Sequence, residues 1–249
     1  MPTQREQLET KFGGSLRRLS ASHRRELETL LGRPPDINNV PDEFFERVRR
    51  ENEERMAVIM ALMFTSFASK LGRITSSDKL QSGITLSDRA EQFAKDRSRF
   101  VADRAIRTTM RNLERKSEKW RAKTDKGIDV PASEIAEAAK TEFGSSRIQT
   151  IATTETTKVR TEGEREGAFV RFGTDTLQIW TLGPCQHCSF CPLVAGTDIS
   201  CWGDVVDGPP AHVNCCCSIR FIAGGQYQRA CPPRSSLMQS AKDSGLFGL

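Results

Sequence analysis

Cysteine and histidine are the residues of this chain whose spacing carries chemistry. The pattern is Cys185-x2-Cys188-x2-Cys191, a gap of 20 residues, then His212-x2-Cys215-Cys216-Cys217. A Cys-x2-Cys turn presents two thiolates to one ion, and His-x2-Cys or His-x4-Cys closes the site from the other side. Zinc is the ion that four such ligands suit. The first choice of ligands is Cys188, Cys191 and His212 with Cys215 or Cys217. Because two Cys-x2-Cys pairs overlap, Cys185 is a possible extra ligand, and His187, inside the pair, is a weaker candidate. Three other readings stay open. Cys-x2-Cys-x2-Cys-Pro resembles part of a bacterial ferredoxin run, but the position of its fourth ligand is Ala195. The three adjacent cysteines could instead form disulfides with Cys185 or Cys188, or the cysteines could be free and buried. Cys201 and Cys231 are read as packing residues.

All eight cysteines lie between Cys185 and Cys231. The first residues, Met-Pro-Thr-Gln-Arg-Glu, lack the apolar core of a signal peptide. A secreted disulfide scaffold is therefore not expected, and clustering in a reducing compartment favours a metal. Catalysis has little support. The chain has three histidines, one of them in the cluster, and no Gly-rich phosphate loop. Asp198, Asp204 and Asp207 in the gap read as solvated. The expectation is a non-enzyme.

The elements that must position these ligands are mostly helical. Thr3 and Glu6 form a capping box, and Leu8, Phe12, Leu16, Leu19 and Leu27 follow at helical spacing as far as Gly32, with Gly13-Gly14 as a candidate kink. A second helix starts at Pro41, has an acidic first turn and ends near Gly72. Its apolar stretch from Met56 is about half the roughly 20 residues a membrane span needs, so no span is expected and a core helix is. A third helix, capped by Ser87 or Asp88, runs to about Lys123. At 100° per residue, Ala102, Ile106, Met110, Leu113 and Trp120 share one face. Arg97, Arg104, Arg107, Arg111 and Arg115 share the opposite one. That face is either solvated or a contact with DNA or an acidic partner, since Arg is the better bidentate phosphate ligand. Residues 1–126 carry 27 Lys and Arg against 19 Asp and Glu, a net of +8, whereas residues 127–249 carry 10 against 13, a net of −3. Shorter helices are expected over 132–143 and 146–167, then strands over 176–181 and 217–222. The fold class expected is mainly α: long N-terminal helices and a small C-terminal α+β module stapled by the Cys/His cluster. The domains expected are 1–126, 127–225 and an extended tail over 226–249.

Residues 147–221 resemble the phage Mu F-like head morphogenesis family, the minor head proteins of tailed bacteriophages. Three segments carry the resemblance. Ile151-Ala152-Thr153-Thr154-Glu155 is similar to the family's helical signature ahead of a strand with Trp, here Trp180. Cys188-Ser189-Phe190-Cys191-Pro192-Leu193-Val194-Ala195-Gly196 is similar to its Cys-x2-Cys-x2-Leu-x-Gly motif. Pro209-Pro210-Ala211-His212-Val213-Asn214-Cys215-Cys216-Cys217 is similar to its closing His and Cys run. Cys216 and Val213 replace the family's Arg and Pro, and Cys185 is extra. The resemblance implies a structural component of the virion, made in the host cytoplasm and present in several copies near the portal. Its partners would be portal and capsid proteins, with packaged DNA as a further contact, and its work head assembly and genome packaging or delivery. The alternative is a zinc-stapled nucleic-acid-binding protein acting on the phage genome.

Overall fold

The computed structural model describes residues 2–80, 82–224, 230–244 and 246. Helices α1 (Gln4–Leu30), α2 (Asp42–Gly72), α3 (Leu86–Thr124), α4 (Ala132–Phe143) and α5 (Ser145–Phe172) come first. Strand β1 (Leu177–Thr181), the short helix α6 (Phe190–Val194), strand β2 (Ser218–Ile222) and helix α7 (Arg234–Asp243) follow. The fold is mostly helical, with a small two-stranded C-terminal module that holds the Cys/His cluster.

Local chemistry explains the helix ends. Glu6 N–H donates to Thr3 Oγ1 and Thr3 N–H to Glu6 Oε2, so the capping box forms. Helix α3 starts earlier than Ser87 or Asp88. Thr85 takes the cap, its Oγ1 accepting from Asp88 N–H at 3.1 Å and donating to the Asp88 carboxylate at 2.7 Å. Gly13-Gly14 does not break α1. Gly167 does not end α5 either, because it is a packing residue. A side-chain carbon on Gly163 would sit 2.7 Å from the Phe64 carbonyl oxygen, and one on Gly167 2.4 Å from that of Ala68. The two glycines let α5 lie directly against the backbone of α2.

The chain divides into two compact units that are discontinuous in sequence. One comprises Thr10–Ile59 and Phe93–Gln149. Its core gathers Leu27, Leu31, Phe44, Phe45, Val48, Ile106, Leu113 and Trp120 with Ile135, Ala138, Ala139 and Phe143 of α4. A boundary at 126 would cut α4 from the helices it packs on. Glu134 holds this corner, accepting from Trp120 Nε1 at 2.9 Å and Lys123 Nζ at 2.7 Å.

The other unit comprises Met1–Glu9, Met60–Gln92 and Thr150–Leu249. In it, Met60, Met63, Phe64, Phe67 and Ala68 of α2 are buried, as are Ala152, Val159 and Ala168 of α5. Among the described residues α2 is the one helix long and apolar enough to cross a membrane. One face of it is buried, through Met56, Met60, Met63, Phe64 and Phe67, whereas Val58 and Leu62 are exposed. In the module, β1 pairs antiparallel with β2 from Leu177↔Ile222 to Thr181↔Ser218. Trp180, Trp202 and Phe190 meet edge to face, with ring centroids 5.1 and 6.0 Å apart. The tail is not extended throughout. Pro233 precedes α7, whose Leu237 and Ala241, one turn apart, are buried in the module's core. Residues 225–229, 245 and 247–249 of the expected tail lie outside the described ones.

Candidate metal centre

Two stretches of chain converge on the cluster. Cys188 lies in the loop before α6, and Cys191 is in its first turn. His212 and Cys215 are in the loop that leads to β2, and Cys217 immediately precedes that strand. Helix α5 fixes this loop from beneath. Thr157 Oγ1 donates to the Cys215 carbonyl at 2.7 Å, and Asn214 N–H donates to Thr154 Oγ1 at 3.0 Å. Asn214 reaches that position with φ at +62°, a left-handed conformation Asn tolerates better than most residues. Arg165 of α5 donates to Gln178 Oε1 on β1 at 2.9 Å and to the Asp207 carbonyl, tying strand and gap loop to one helix. The loop before α6 approaches so closely that a side chain on Gly183 would sit 2.1 Å from the Cys216 carbonyl oxygen. Only glycine fits there.

The eight cysteines fall into two classes. Cys185 is bonded to Cys216, and Cys201 to Cys231. Cys188, Cys191, Cys215 and Cys217 are free thiols, three of them buried. Cys185 is thus no metal ligand, because its sulfur is spent in a covalent bond. Cys201 and Cys231 do more than pack. The disulfide alternative is realised on four of the cysteines, and the other four are left as a free-thiol set that could hold a metal.

The free thiols and two histidines form one connected cluster. Donor atoms of Cys188, Cys191 and His212 lie within 4.8 Å of one another, as do those of His187, Cys191 and Cys217. Cys188 Sγ is 3.6 Å from Cys191 Sγ, and Cys217 Sγ is 3.7 Å from His187 Nδ1. With a metal–sulfur bond of about 2.3 Å, the edge of a tetrahedral site is about 3.8 Å. These separations therefore match neighbouring ligands of one ion. Cys215 touches Cys191, Cys217 and His212. The imidazole of His212 is oriented for ligation. Its Nδ1 lies 2.8 Å from the Val213 carbonyl, and its Nε2 is buried without a hydrogen bond beside the thiols. The cluster can hold a metal ion.

Its electrostatics point the same way. The Cys188 thiol is drawn down to about 3, chiefly by the Cys191 thiol and further by His212, against the opposing effect of burial. Contacts with Cys188 and Cys215 raise His212 to about 10. Cys215 is lowered by Cys191, whereas Cys191 is pushed far up by Cys188, Cys215 and Cys217 together. Four thiols in one buried space cannot all ionise without a cation between them.

No family model, no curated protein and no solved structure matches the chain.

The remaining candidates lie elsewhere in the chain. Arg97 stacks its guanidinium 5.0 Å over the Phe100 ring, and Arg104 is half-buried. Arg107, Arg111 and Arg115 are exposed, Arg115 donating to Asn112 Oδ1 of its own helix. The apolar face is as expected, with Ala102, Ile106, Leu113 and Trp120 buried. Sequence reasoning missed the support of the cluster. Thr154 and Thr157 sit three residues apart on α5, a spacing that places both on one helix face, but nothing in the pattern says what that face meets. The pairing of Cys201 with Cys231 has no spacing signature at all.

Proposed function

We propose that the chain is a structural protein whose C-terminal module is held by zinc on Cys188, Cys191, Cys215 and His212, and that it serves as a minor head protein of a tailed phage. The carrying observation is the convergence of free thiols and an imidazole whose buried Nε2 has no hydrogen bond. Three thiolates and one imidazole close a tetrahedral shell, which makes the ion structural rather than catalytic. The phage assignment is supported by the way the three segments that resemble the Mu F-like family converge. The signature helix supplies Thr154, the Cys-x2-Cys motif supplies Cys188 and Cys191, and the closing run supplies His212 and Cys215. In this role the chain acts at the portal vertex in head assembly and in genome packaging or delivery, with portal and capsid proteins as partners. Elemental analysis of the purified chain tests the zinc. Mass spectrometry of purified particles tests the role: the chain should be present in few copies and stay with the portal when the shell is dissociated. Its absence from mature particles and from assembly intermediates would remove the phage reading.

A second reading is specifically favoured by Arg107, Arg111 and Arg115, exposed at four-residue spacing along α3. It makes the chain a zinc-stapled nucleic-acid-binding protein. DNA affinity falling steeply with salt would favour it, and portal association without DNA would favour the first.

A further inference from the structure

One tetrahedral ion uses Cys188, Cys191, Cys215 and His212 and leaves a second pair of donors beside it. His187 Nδ1 and Cys217 Sγ are 3.7 Å apart, and both lie within 4.8 Å of Cys191 Sγ. Cys217 also touches Cys215. The arrangement is two-sided. On one side stand Cys188 and His212, in contact with each other. On the other stand Cys217 and His187. Between them lie Cys191, which touches Cys188, Cys215 and Cys217, and Cys215, which touches His212, Cys191 and Cys217.

We infer that the cluster is a binuclear centre for two divalent d10 ions of the zinc class, bridged by the sulfurs of Cys191 and Cys215. Cys188 and His212 terminate one ion, and Cys217 and His187 the other. This rests on the zinc reading above and extends it from one ion to two. The coordination closes: two imidazoles, two terminal thiolates and two bridging thiolates counted twice give eight bonds, four to each ion. The charge closes as well. One divalent ion on three thiolates leaves a net negative charge in a buried space, with the Cys217 thiol against it. Two divalent ions on four thiolates with two neutral imidazoles are neutral overall, and burial penalises neutral groups far less than charged ones. Cys191, Cys215 and Cys217 are buried, whereas Cys188, His187 and His212 are half-buried, so each proposed end carries an imidazole toward the rim.

The test is native mass spectrometry of the full-length chain, with both disulfides intact, purified from zinc-supplemented medium without chelator. Two zinc ions per chain are expected for the wild type, one for His187→Ala and one for Cys217→Ser. Replacement by ¹¹³Cd in the wild type should give two resonances coupled to each other through the shared sulfurs, a readout that needs no variant to fold. One ion in the wild type, or two in His187→Ala, overturns the binuclear centre. The first of these outcomes leaves the single-zinc reading standing. No metal, or iron with inorganic sulfide, overturns both.

Discussion

Trp120 and Trp180 are both buried to 1% exposure, yet their surroundings are different in kind. Trp120 packs in a cluster of Leu, Ile, Val, Phe and Ala drawn from α1 to α4, and its indole N–H is satisfied by Glu134. Trp180 shares its cluster with Trp202 and Phe190 but also with Cys191, Cys201, Cys215 and Cys217. The helical region is held by periodic apolar stripes, which stabilise through area removed from water at roughly 25 cal/mol per Å². The module has short strands of five residues each and a five-residue helix. Such elements cannot bury enough area by themselves; two disulfides cross-link them, and the Cys/His cluster can add a metal. An aromatic trio at the centre, Trp180 with Trp202 and Phe190, adds to the links.

The largest expected effect separates the two regions outright. Cys191→Ser removes the thiol that touches every other thiol of the cluster, and a structural zinc contributes on the order of 10 kcal/mol to folding. The module should lose its fold while the helical region keeps its own. Near-ultraviolet circular dichroism from Trp180 and Trp202 should collapse, while far-ultraviolet helical signal changes little. Chelation of the wild type should do the same, and added zinc should reverse it. Retention of the aromatic signal after complete metal removal would mean that packing and disulfides suffice.

The opposite break is Trp120→Ala. A large aromatic lost from a packed core costs about 3–5 kcal/mol. Thermal unfolding of the helical region should move down while the zinc content per chain stays at its wild-type value. A fall in zinc content equal to the loss of helix would show that the two regions do not fold as separately as their cores suggest.

Cross-links of the second kind give a smaller effect. The pairs Cys185–Cys216 and Cys201–Cys231 enclose loops with sequence separations of 31 and 30 residues. In the chain-entropy account each such closure stabilises by about 3–4 kcal/mol. Cys201→Ser should therefore lower stability by about that amount and keep the metal, because neither of its sulfurs belongs to the free-thiol cluster. Thiol titration under denaturing conditions should rise from four free thiols to five, the new one being Cys231. A Cys201→Ser chain as stable as the wild type would return that cysteine to a packing role.

The legible part of the molecule follows from where its energy resides. Helices α1 and α3 show their apolar faces at 3.6-residue spacing, and α2 shows its start at Pro41 and its apolar stretch from Met56, so their existence and the burial of Leu113 or Trp120 can be read directly. The alternation in Thr176–Thr181 shows β1 for the same reason. A ligand cluster is legible as a set, since Cys-x2-Cys and His-x2-Cys spacings act within one turn of chain. Which cysteine leaves the set is not legible. Cys185 and Cys188 have identical local spacing, and only the distant Cys216 decides between them. Gly167 is the same lesson among helices. It reads as a stop, but close contact with Ala68 makes it a packing residue.

The smallest effect on stability tests the most about function. Arg107, Arg111 and Arg115 are exposed on α3, and exposed charges on a helix surface rarely change stability by more than about 0.5 kcal/mol. Arg97 and Arg104 are poorer probes because they already have contacts within the fold. A joint Arg107→Gln, Arg111→Gln and Arg115→Gln variant should unfold at the wild-type temperature and hold wild-type zinc. Gln keeps the length and polarity of the side chain and removes only its charge and bidentate fork. If this face meets phosphate, DNA affinity should fall and its dependence on salt should flatten by up to three phosphate contacts. If it meets an acidic surface of a head protein, particle assembly should fall while residual DNA binding is unchanged. Normal particle yield together with unchanged DNA binding would make the stripe a solvated face, and would leave the helical region with packing as its whole role.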